Sequence, residues 1–256
     1  MPQSLPWSSV WITGASSGIG LELARQMDGR GPAIAISARS RGELKAEAGK
    51  GASISAHPLD VTDAKAVKKA VGDIWKLHGG IDLAVLGAGV FKIVSPDNFD
   101  LDDFRRSIDV NYLGVVNCVA ALIPHMKKRG SGHIAIIASV AGYRGLPKSM
   151  AYGPTKAALI NFAEGLRAEL EPLGIRVTVI NPGFVDTPMT EHNDFPMPLL
   201  VPVEKAARTI LKGLVAGKYE IVFPQPFAFV MKLLRRMPNA LFFFIVRNIV
   251  MRNKGS

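Results

Sequence analysis

The sequence predicts an α/β fold in which a single doubly wound parallel sheet of about seven strands is covered by helices on both faces. Two observations support this prediction. Short apolar runs of β-forming residues alternate along the chain with longer stretches of helical periodicity. No repeat, linker or break in composition interrupts the alternation before about residue 220. We therefore predict one domain over residues 1–222 and a helical C-terminal extension over residues 223–256.

The strands are predicted from nearly continuous apolar runs, which are typical of strands buried on both faces of a parallel sheet. These runs cover residues 10–12, 33–36, 53–56, 83–86, 133–137 and 176–180. Helical patterns lie near 18–28, 40–48, 63–78, 101–128, 152–171 and 203–216. Asp63, Asp102 and Asp103 stand at two helix starts, where the dipole and free amides favour carboxylates. Right-handed crossovers between such strands produce the doubly wound arrangement.

Composition excludes several classes of protein. The chain has 256 residues, of which 48% are hydrophobic and 20% charged, so it is neither disordered nor collagen-like. A chain of this length buries roughly 70 to 75% of its unfolded surface, so its core needs neither metal nor disulfide. The single Cys118 is predicted to be an inert core thiol. No metal site is predicted, because the histidines lack close ligand spacing; they are His57, His78, His125, His133 and His192.

The positive charge is unevenly distributed. The chain has 31 Lys and Arg against 21 Asp and Glu, and no acidic residue follows Glu220. Residues 221–256 mix six basic residues with Phe, Leu, Val and Ile, and two short helices fit at 227–237 and 240–251 around Pro238. This pattern favours a basic, apolar tail over a nucleic-acid groove. Two interpretations stay open: peripheral binding to anionic lipid, or cover for the core or a subunit interface.

The N-terminal sequence gives an expectation for location. Residues 1–9 lack the basic start and apolar core of a secretory leader. The longest uninterrupted apolar run, 240–246, is far shorter than the roughly 20 residues that cross a bilayer. We expect a cytoplasmic protein, with any membrane contact made peripherally through the extension.

A glycine-rich turn directly follows the first strand. Gly14, Gly18 and Gly20 lie within it, and a helical pattern comes next. Glycine at such positions lets the backbone turn tightly and approach a pyrophosphate, while free amides at the helix start attract its charge. The position after the first strand predicts a dinucleotide site rather than a plain strand-to-helix turn.

The end of the second strand indicates which dinucleotide binds. An NAD-selective site usually places a carboxylate there, on the ribose hydroxyls, but this chain has Arg39. A guanidinium presents a planar fork of donors that suits a 2′-phosphate, so we predict NADP(H). Asp60, after the third strand, is interpreted either as an acceptor for the adenine amino group or as a helix cap. Gly87 and Gly89 would let the ribose lie close to the backbone.

A second group of residues carries acid–base potential. Tyr152 and Lys156 are four positions apart, which places phenol and ammonium on one face of a helix. Free tyrosine has a pKa near 10, and a nearby ammonium favours phenolate. Ser139 ends the fifth strand and Asn111 lies in the preceding long helix.

With these motifs the chain resembles the short-chain dehydrogenases/reductases. The matches, in family order between about residues 8 and 217, are the turn from Thr13 to Gly20, Asn111, Ser139, Tyr152 with Lys156, and Asn181-Pro182-Gly183 with Thr187. The resemblance implies a Rossmann-type fold and hydride transfer between NADP(H) and a carbonyl or alcohol. The chain departs from the family at residues 86–89, where Leu-Gly-Ala-Gly replaces the common Asn-Asn-Ala-Gly, which puts a side-chain tie between strands in doubt.

The resemblance also implies roles for individual residues. Tyr152 would exchange the proton and Ser139 would hydrogen-bond the substrate oxygen. Lys156 would bind the nicotinamide ribose and lower the tyrosine pKa, and Asn111 would hold a relay water. The catalytic prediction is thus Asn111, Ser139, Tyr152 and Lys156. The cofactor-binding prediction is Gly14, Ser16, Ser17, Gly18, Ile19, Gly20, Arg39, Asp60, Val61, Gly87, Ala88, Gly89, Asn111, Tyr152, Lys156, Pro182, Gly183, Val185 and Thr187, the last two at the carboxamide.

The substrate is predicted from the segment 189–203, which is apolar and contains Pro196, Pro198 and Pro202. The family uses this stretch as a mobile lid, so an apolar substrate is expected, although an ordinary packed loop is the alternative. Tyr143 and Arg144 are further candidates for the pocket lining. We predict a carbonyl reductase or alcohol dehydrogenase, homodimeric or homotetrameric by resemblance, for 3-oxoacyl or long-chain keto-lipid substrates, or for steroids or small ketones. The alternative is an NADP(H)-binding redox regulator without turnover.

Overall fold

A computed structural model describes residues 4–191, 193 and 196–250 of the chain. The predictions for His192, for part of the 189–203 segment and for residues 251–256 fall outside these ranges. Seven strands occur in the described part of the chain and form one all-parallel sheet in the order β3-β2-β1-β4-β5-β6-β7. They are β1 Ser9–Thr13, β2 Ala33–Ser37, β3 Ile54–Ala56, β4 Leu83–Leu86, β5 Gly132–Ile137, β6 Ile175–Pro182 and β7 Glu220–Phe223. The predicted doubly wound parallel sheet is confirmed.

The connecting segments are helical. The α-helices are α1 Gly18–Met27, α2 Arg41–Ala48, α3 Ala64–His78, α4 Leu101–Ile108, α5 Gly114–Arg129, α6 Tyr152–Leu170, α7 Val203–Val215, α8 Gln225–Arg236 and α9 Asn239–Ile245. As predicted, Asp63 caps α3: its carboxylate accepts from the amides of Lys65 at 2.9 Å and Ala66 at 3.0 Å. At α4 the cap is Asp100, which accepts from the amide of Asp102 at 2.9 Å.

Both faces of the sheet are buried. Alternate side chains of β1 point to opposite faces of the sheet. Trp11 belongs to the core on one face, together with residues of α3, α5 and α6. Val10 and Ile12 belong to the core on the other face, together with residues of α1, α2 and α7. Cys118 belongs to the first of these cores, where burial raises the pKa of its thiol to about 12. This agrees with the prediction of an inert thiol.

Two elements differ from the sequence predictions. The long predicted helix over 101–128 is interrupted by a π-helical turn, Asp109–Leu113, between α4 and α5. Strand β7 was not among the six predicted runs, because its apolar run, 221–223, is only three residues long; it pairs with β6 at the edge of the sheet. By length and composition alone, one stretch of the described chain, Leu101–Arg129, is suited to cross a membrane, but its residues Asn111 and Leu122 are buried within this domain.

The predicted extension begins with α8, which packs Met231 into the same core as α3, α5 and α6. Its second helix, α9, starts after Pro238 and buries Phe242. The predicted division at residues 222 and 223 falls inside β7, so that boundary stays a prediction.

Candidate active site

A cleft of about 270 Å³ lies at the carboxyl ends of the strands. Thr13 at the end of β1 is in register with Leu86 at the end of β4, and the strand order reverses between these two strands. Parallel α/β sheets bind ligands at this switch point. Every residue predicted above to bind the cofactor lines the cleft, except Asn111. Ser139 lines it as well. Sequence-distant segments thus meet at one edge of the sheet.

The glycine-rich turn forms one end of the cleft. Gly14 has φ +70°, and a Cβ there would lie 2.6 Å from the carbonyl oxygen of Gly87, so the two loops approach more closely than any side chain allows. The hydroxyl of Thr13 accepts hydrogen bonds from the amides of Gly87 at 3.1 Å and Ala88 at 3.3 Å. This hydroxyl supplies a side-chain tie at the point where the departure from the family pattern put one in doubt.

The start of α1 is suited to an anion. Its N-cap Ser17 makes no side-chain hydrogen bond to the helix, and no acidic residue occupies the first turn. The first amides of the helix therefore keep their hydrogen-bonding capacity, and the positive end of the helix dipole faces the cleft. The turn thus fits the pyrophosphate group that the sequence analysis expects.

Arg39 and Asp60 line the same cleft, after β2 and β3. The Asp60 carboxylate accepts from the amide of Thr62 at 2.9 Å and from its hydroxyl at 2.8 Å, which closes a turn, while the cap of α3 is Asp63. The backbone hydrogen bond from Thr62 lowers the pKa of Asp60, so the carboxylate is ionised at neutral pH. Among the described residues, Arg39 has no hydrogen-bonded partner or ion pair, so its guanidinium is available to a ligand.

Ser139, Tyr152 and Lys156 lie together in the cleft. Tyr152 begins α6 and Lys156 follows one turn later, with its Nζ 5.3 Å from the centre of the phenol ring. Lys156 Nζ donates to the carbonyl oxygen of Ile137 at 2.9 Å, which anchors it to the end of β5. Ser139 caps the 3₁₀ turn Val140–Gly142, accepting from the amide of Ala141 at 3.2 Å. The three polar groups predicted from distant positions are therefore neighbours.

Asn111 has a different position from these three residues. It is fully buried in the π-helical turn and does not line the cleft. Its Oδ1 accepts from the amide of Val90 at 2.7 Å, and its Nδ2 donates to the carbonyl of Val90 at 2.9 Å and to the hydroxyl of Thr155 at 3.2 Å. The side chain thus holds the loop after β4 against the first turn of α6. π-Turns of this kind are frequent at functional sites.

Comparison with known proteins agrees with this geometry. Residues 8–195 match the family model described as short chain dehydrogenase. The chain belongs to this family. An uncharacterized oxidoreductase of Myxococcus xanthus strain DK1622 is 36% identical to it over 242 residues, which covers 93% of this chain and 96% of the relative.

Solved structures of the family share the whole fold. A short-chain dehydrogenase from Streptomyces avermitilis superposes with a TM-score of 0.80 at 25% identity, covering 96% of this chain and 98% of that one. A short-chain dehydrogenase from Burkholderia cenocepacia J2315, in complex with NADP, gives a TM-score of 0.81 at 25% identity, with the same coverage. The parallel sheet described above is thus the Rossmann-type sheet of the short-chain dehydrogenases.

Burial dominates the electrostatics of this short-chain dehydrogenase site. It raises the pKa of Tyr152 to about 12, although a hydrogen bond with Ser139 works in the opposite direction. It also lowers the pKa of Lys156 to about 8. The phenol is therefore protonated at neutral pH and able to donate a proton. The lowering of the tyrosine pKa by Lys156 stays a prediction.

The buried ammonium should cost this dehydrogenase stability. Between the folded pKa of about 8 and the ordinary value of 10.5, the unfolded chain holds a proton that the folded chain has released, so stability rises with pH in this window. Relative to Lys156→Met, the wild-type free energy of unfolding should rise by about 3 kcal/mol across it. Urea unfolding of both proteins from neutral to alkaline pH measures this difference, and parallel curves for the two would contradict it.

A second cavity of about 130 Å³ adjoins the cleft and shares Ser139, Tyr152 and Met189 with it. Aromatic rings form much of its wall: Phe91 meets the Tyr152 ring edge-on at 5.1 Å, and Phe184 packs on Phe227 at 5.6 Å. Sequence reasoning missed both Phe91 and Phe227 as wall residues, because Phe91 follows Gly89 without belonging to a motif and Phe227 lies in the C-terminal extension. The available signal for Phe227 was the helical spacing of apolar residues in α8.

Tyr143 and Arg144, which the sequence offered as candidates for the pocket lining, line neither cavity. The Tyr143 hydroxyl donates to the carboxylate of Glu220, which also accepts from Asn181 at 3.0 Å. Arg144 stacks over the ring of Phe242 at 4.4 Å. These contacts turn both side chains toward β7 and the C-terminal helices, away from the site.

Histidines and acidic residues form no metal centre in the described ranges. Nowhere in residues 4–191, 193 and 196–250 do three or more His, Cys, Asp or Glu side chains gather so as to hold a metal ion. Within these ranges, the charged side chains that line the cleft are those of Arg39, Asp60 and Lys156.

Proposed function

We propose that this protein is an NADP(H)-dependent oxidoreductase that transfers a hydride between the nicotinamide and a carbonyl or secondary alcohol of an apolar substrate. The proposal depends above all on one observation: the cleft that begins at the glycine-rich turn also contains Ser139, Tyr152 and Lys156. The family assignment supports the reaction class, and the NADP bound by the Burkholderia cenocepacia relative supports the cofactor class.

The residues present fit a dinucleotide. Close approach of Gly14 to Gly87 leaves backbone rather than side chains facing the cleft, and the uncapped start of α1 offers amides to the pyrophosphate. Arg39, at the end of β2, would bind the 2′-phosphate. Thr187 and the backbone at Val185 would hold the carboxamide.

Bound NADP(H) supplies or accepts the hydride. Negative charge then develops on the substrate oxygen during reduction, and positioned donors must neutralise it. Tyr152, protonated because of its burial, gives its phenolic proton to that oxygen, and Ser139 donates a hydrogen bond to it. In the oxidative direction both steps reverse, and Tyr152 takes the proton. Lys156 holds the ribose hydroxyls with its ammonium.

Asn111 is proposed to hold a water that resupplies the proton. Its side-chain amide is already engaged by Val90 and Thr155. The side chain therefore acts as a positioning group, which holds the loop after β4 against α6.

The aromatic walls of the second cavity support an apolar substrate. A 3-oxoacyl or long-chain keto-lipid fits this lining as well as a steroid or small ketone does. By resemblance to the family we also propose a cytoplasmic homodimer or homotetramer.

Steady-state kinetics with both cofactors tests the proposal. Screening acyl, steroid and simple ketones should reveal NADPH oxidation that exceeds NADH oxidation. Arg39→Ala should then raise the KM for NADPH about 10- to 100-fold, since it removes charge-assisted hydrogen bonds, and leave that for NADH nearly unchanged. Arg41→Ala, at the exposed start of α2, is the matched control. NADH preference unaltered by Arg39→Ala would defeat the cofactor assignment, and tight NADPH binding without turnover of any ketone would favour the regulator.

A further inference from the structure

Helix α8 carries apolar side chains on two faces. Ala228 and Met231 are buried beneath it, on the inward face. Phe229, Val230 and Leu233 lie on the outward face at helical spacing and are 49 to 72% exposed. A helix that only covers a core needs one apolar face, so the outward face is not explained by the fold of this domain.

Helix α9 adds to the exposed apolar surface. Phe242 is buried, whereas Leu241, Phe243 and Phe244 are exposed. We call the six exposed side chains the docking surface; they are Phe229, Val230, Leu233, Leu241, Phe243 and Phe244. Exposed apolar side chains on two consecutive helices are typical of interaction sites where they form a contiguous patch.

Cations surround the docking surface. Lys232, Arg235 and Arg236 lie on α8, and Arg247 follows α9. Among the described residues only Lys232 of these four has a carboxylate partner, Glu220. No Asp or Glu follows Glu220 in the sequence, so nothing in the extension balances the remaining charge.

The combination of exposed apolar side chains and cations limits which kinds of partner can bind the docking surface. A second copy of this chain, docked on this surface through a two-fold interface, would bring the same excess of cations from both copies into one interface. A nucleic acid would satisfy the cations but not the phenylalanine and leucine side chains. The interface of an anionic bilayer offers both an apolar interior and negative headgroups.

We propose that the docking surface binds a lipid bilayer that contains anionic lipid. The inward face of the same helix supplies Phe227 to the wall of the second cavity, so docking brings that cavity close to lipid. An apolar substrate dissolved in the bilayer would then enter beside α8. This consequence depends on the proposed function, whereas the docking itself does not.

Vesicle co-sedimentation tests the docking. The full chain should pellet at low salt with vesicles of phosphatidylcholine and phosphatidylglycerol in equal parts, and should largely stay in solution with phosphatidylcholine alone. Phe229→Ser/Leu233→Ser/Phe244→Ser should lower the bound fraction at least about tenfold, since it removes the inserted apolar groups. The double variant Arg236→Glu/Arg247→Glu should lower the bound fraction about fivefold or more for each cation replaced. It should also remove the preference for anionic lipid.

A matched control variant distinguishes docking through this surface from non-specific hydrophobic adsorption to vesicles. Leu77, Leu173 and Val215 are also exposed apolar residues, but they lie outside the extension, and replacing all three with serine should leave vesicle binding unchanged. Circular dichroism establishes that each variant is folded. The proposal would be overturned if the wild-type protein did not bind vesicles that contain phosphatidylglycerol at low salt. It would also be overturned if the control variant lost as much vesicle binding as the docking-surface variant.

Sedimentation velocity measures the oligomeric state and so tests whether a second copy of this chain covers the docking surface instead. If the triple α8–α9 variant forms a smaller oligomer while the wild type ignores vesicles, the surface is a subunit interface and the docking proposal is wrong. Neither measurement requires turnover. Failure of lipid binding therefore leaves the proposed oxidoreductase activity standing, and absence of activity leaves the docking result interpretable.

Discussion

Replacing Tyr152 with phenylalanine should lower kcat for ketone reduction by about 10²- to 10⁴-fold, the range that a positioned general acid contributes. The substitution removes one oxygen and keeps the ring, including its edge-on contact with Phe91 at 5.1 Å. The phenol is the group that the structure keeps protonated at the junction of cleft and cavity. NADPH affinity should change little, because the substitution leaves unaltered the glycine-rich turn and Arg39, which we propose bind the cofactor.

Single-turnover measurements and an NADPH binding titration check both halves of this expectation. Tyr219→Phe is a suitable control, because the Tyr219 hydroxyl is buried without a hydrogen-bond partner in the described structure. It removes the same atom elsewhere and should leave kcat unchanged. Turnover in Tyr152→Phe within a few-fold of wild type would refute the assignment of Tyr152 as the proton donor.

Replacing Gly14 with alanine should destabilise the protein by about 2 to 5 kcal/mol and abolish tight NADPH binding. Two effects add at this position. The φ of +70° is unfavourable for any residue with a Cβ, and that Cβ would lie 2.6 Å from the carbonyl oxygen of Gly87 and 2.7 Å from the amide nitrogen of Ala88. Because both neighbours are backbone, relief requires the two loops at the switch point to separate, which widens the cradle for the pyrophosphate.

Gly29→Ala measures the backbone strain alone, so its difference from Gly14→Ala isolates the effect of the close contact between the two loops. Gly29 has nearly the same φ, +68°, but a Cβ there would meet nothing within 4 Å. It should therefore cost only the backbone strain, about 1 to 2 kcal/mol, and leave NADPH binding intact. Urea unfolding and a fluorescence titration with NADPH compare the variants. Equal losses for Gly14→Ala and Gly29→Ala would show that the close approach of the two loops is unimportant.

The parts of the fold and site with local signals were predictable from the sequence. The buried strands appear as apolar runs, the cap Asp63 stands before its helix, and the glycine-rich turn follows β1 directly. Tyr152 and Lys156 were placed together by helix periodicity, which requires only their spacing. Each of these inferences depends on residues within a few positions of one another.

The parts that failed or were missed depend on distant partners. Tyr143 stands four residues after Ser139, so sequence proximity favoured the pocket, but its hydroxyl bonds the carboxylate of Glu220. Strand β7 was overlooked because it begins with that same Glu220 and has an apolar run of only three residues, 221–223. Asn111 was placed in a long helix, yet the chain forms a π-helical turn there and buries the amide between Val90 and Thr155.

The sequence by itself determined the parallel α/β architecture, the glycine-rich turn after β1 and the residues that we propose as acid–base groups, because periodicity and residue chemistry are local properties. Only the tertiary structure decided which groups face the cleft and how burial shifts the pKa values of Tyr152 and Lys156. It also decided that α8 presents one apolar face to the second cavity and another to solvent. Burial and proximity arise from segments far apart in the chain, and no short window of sequence specifies which of them meet.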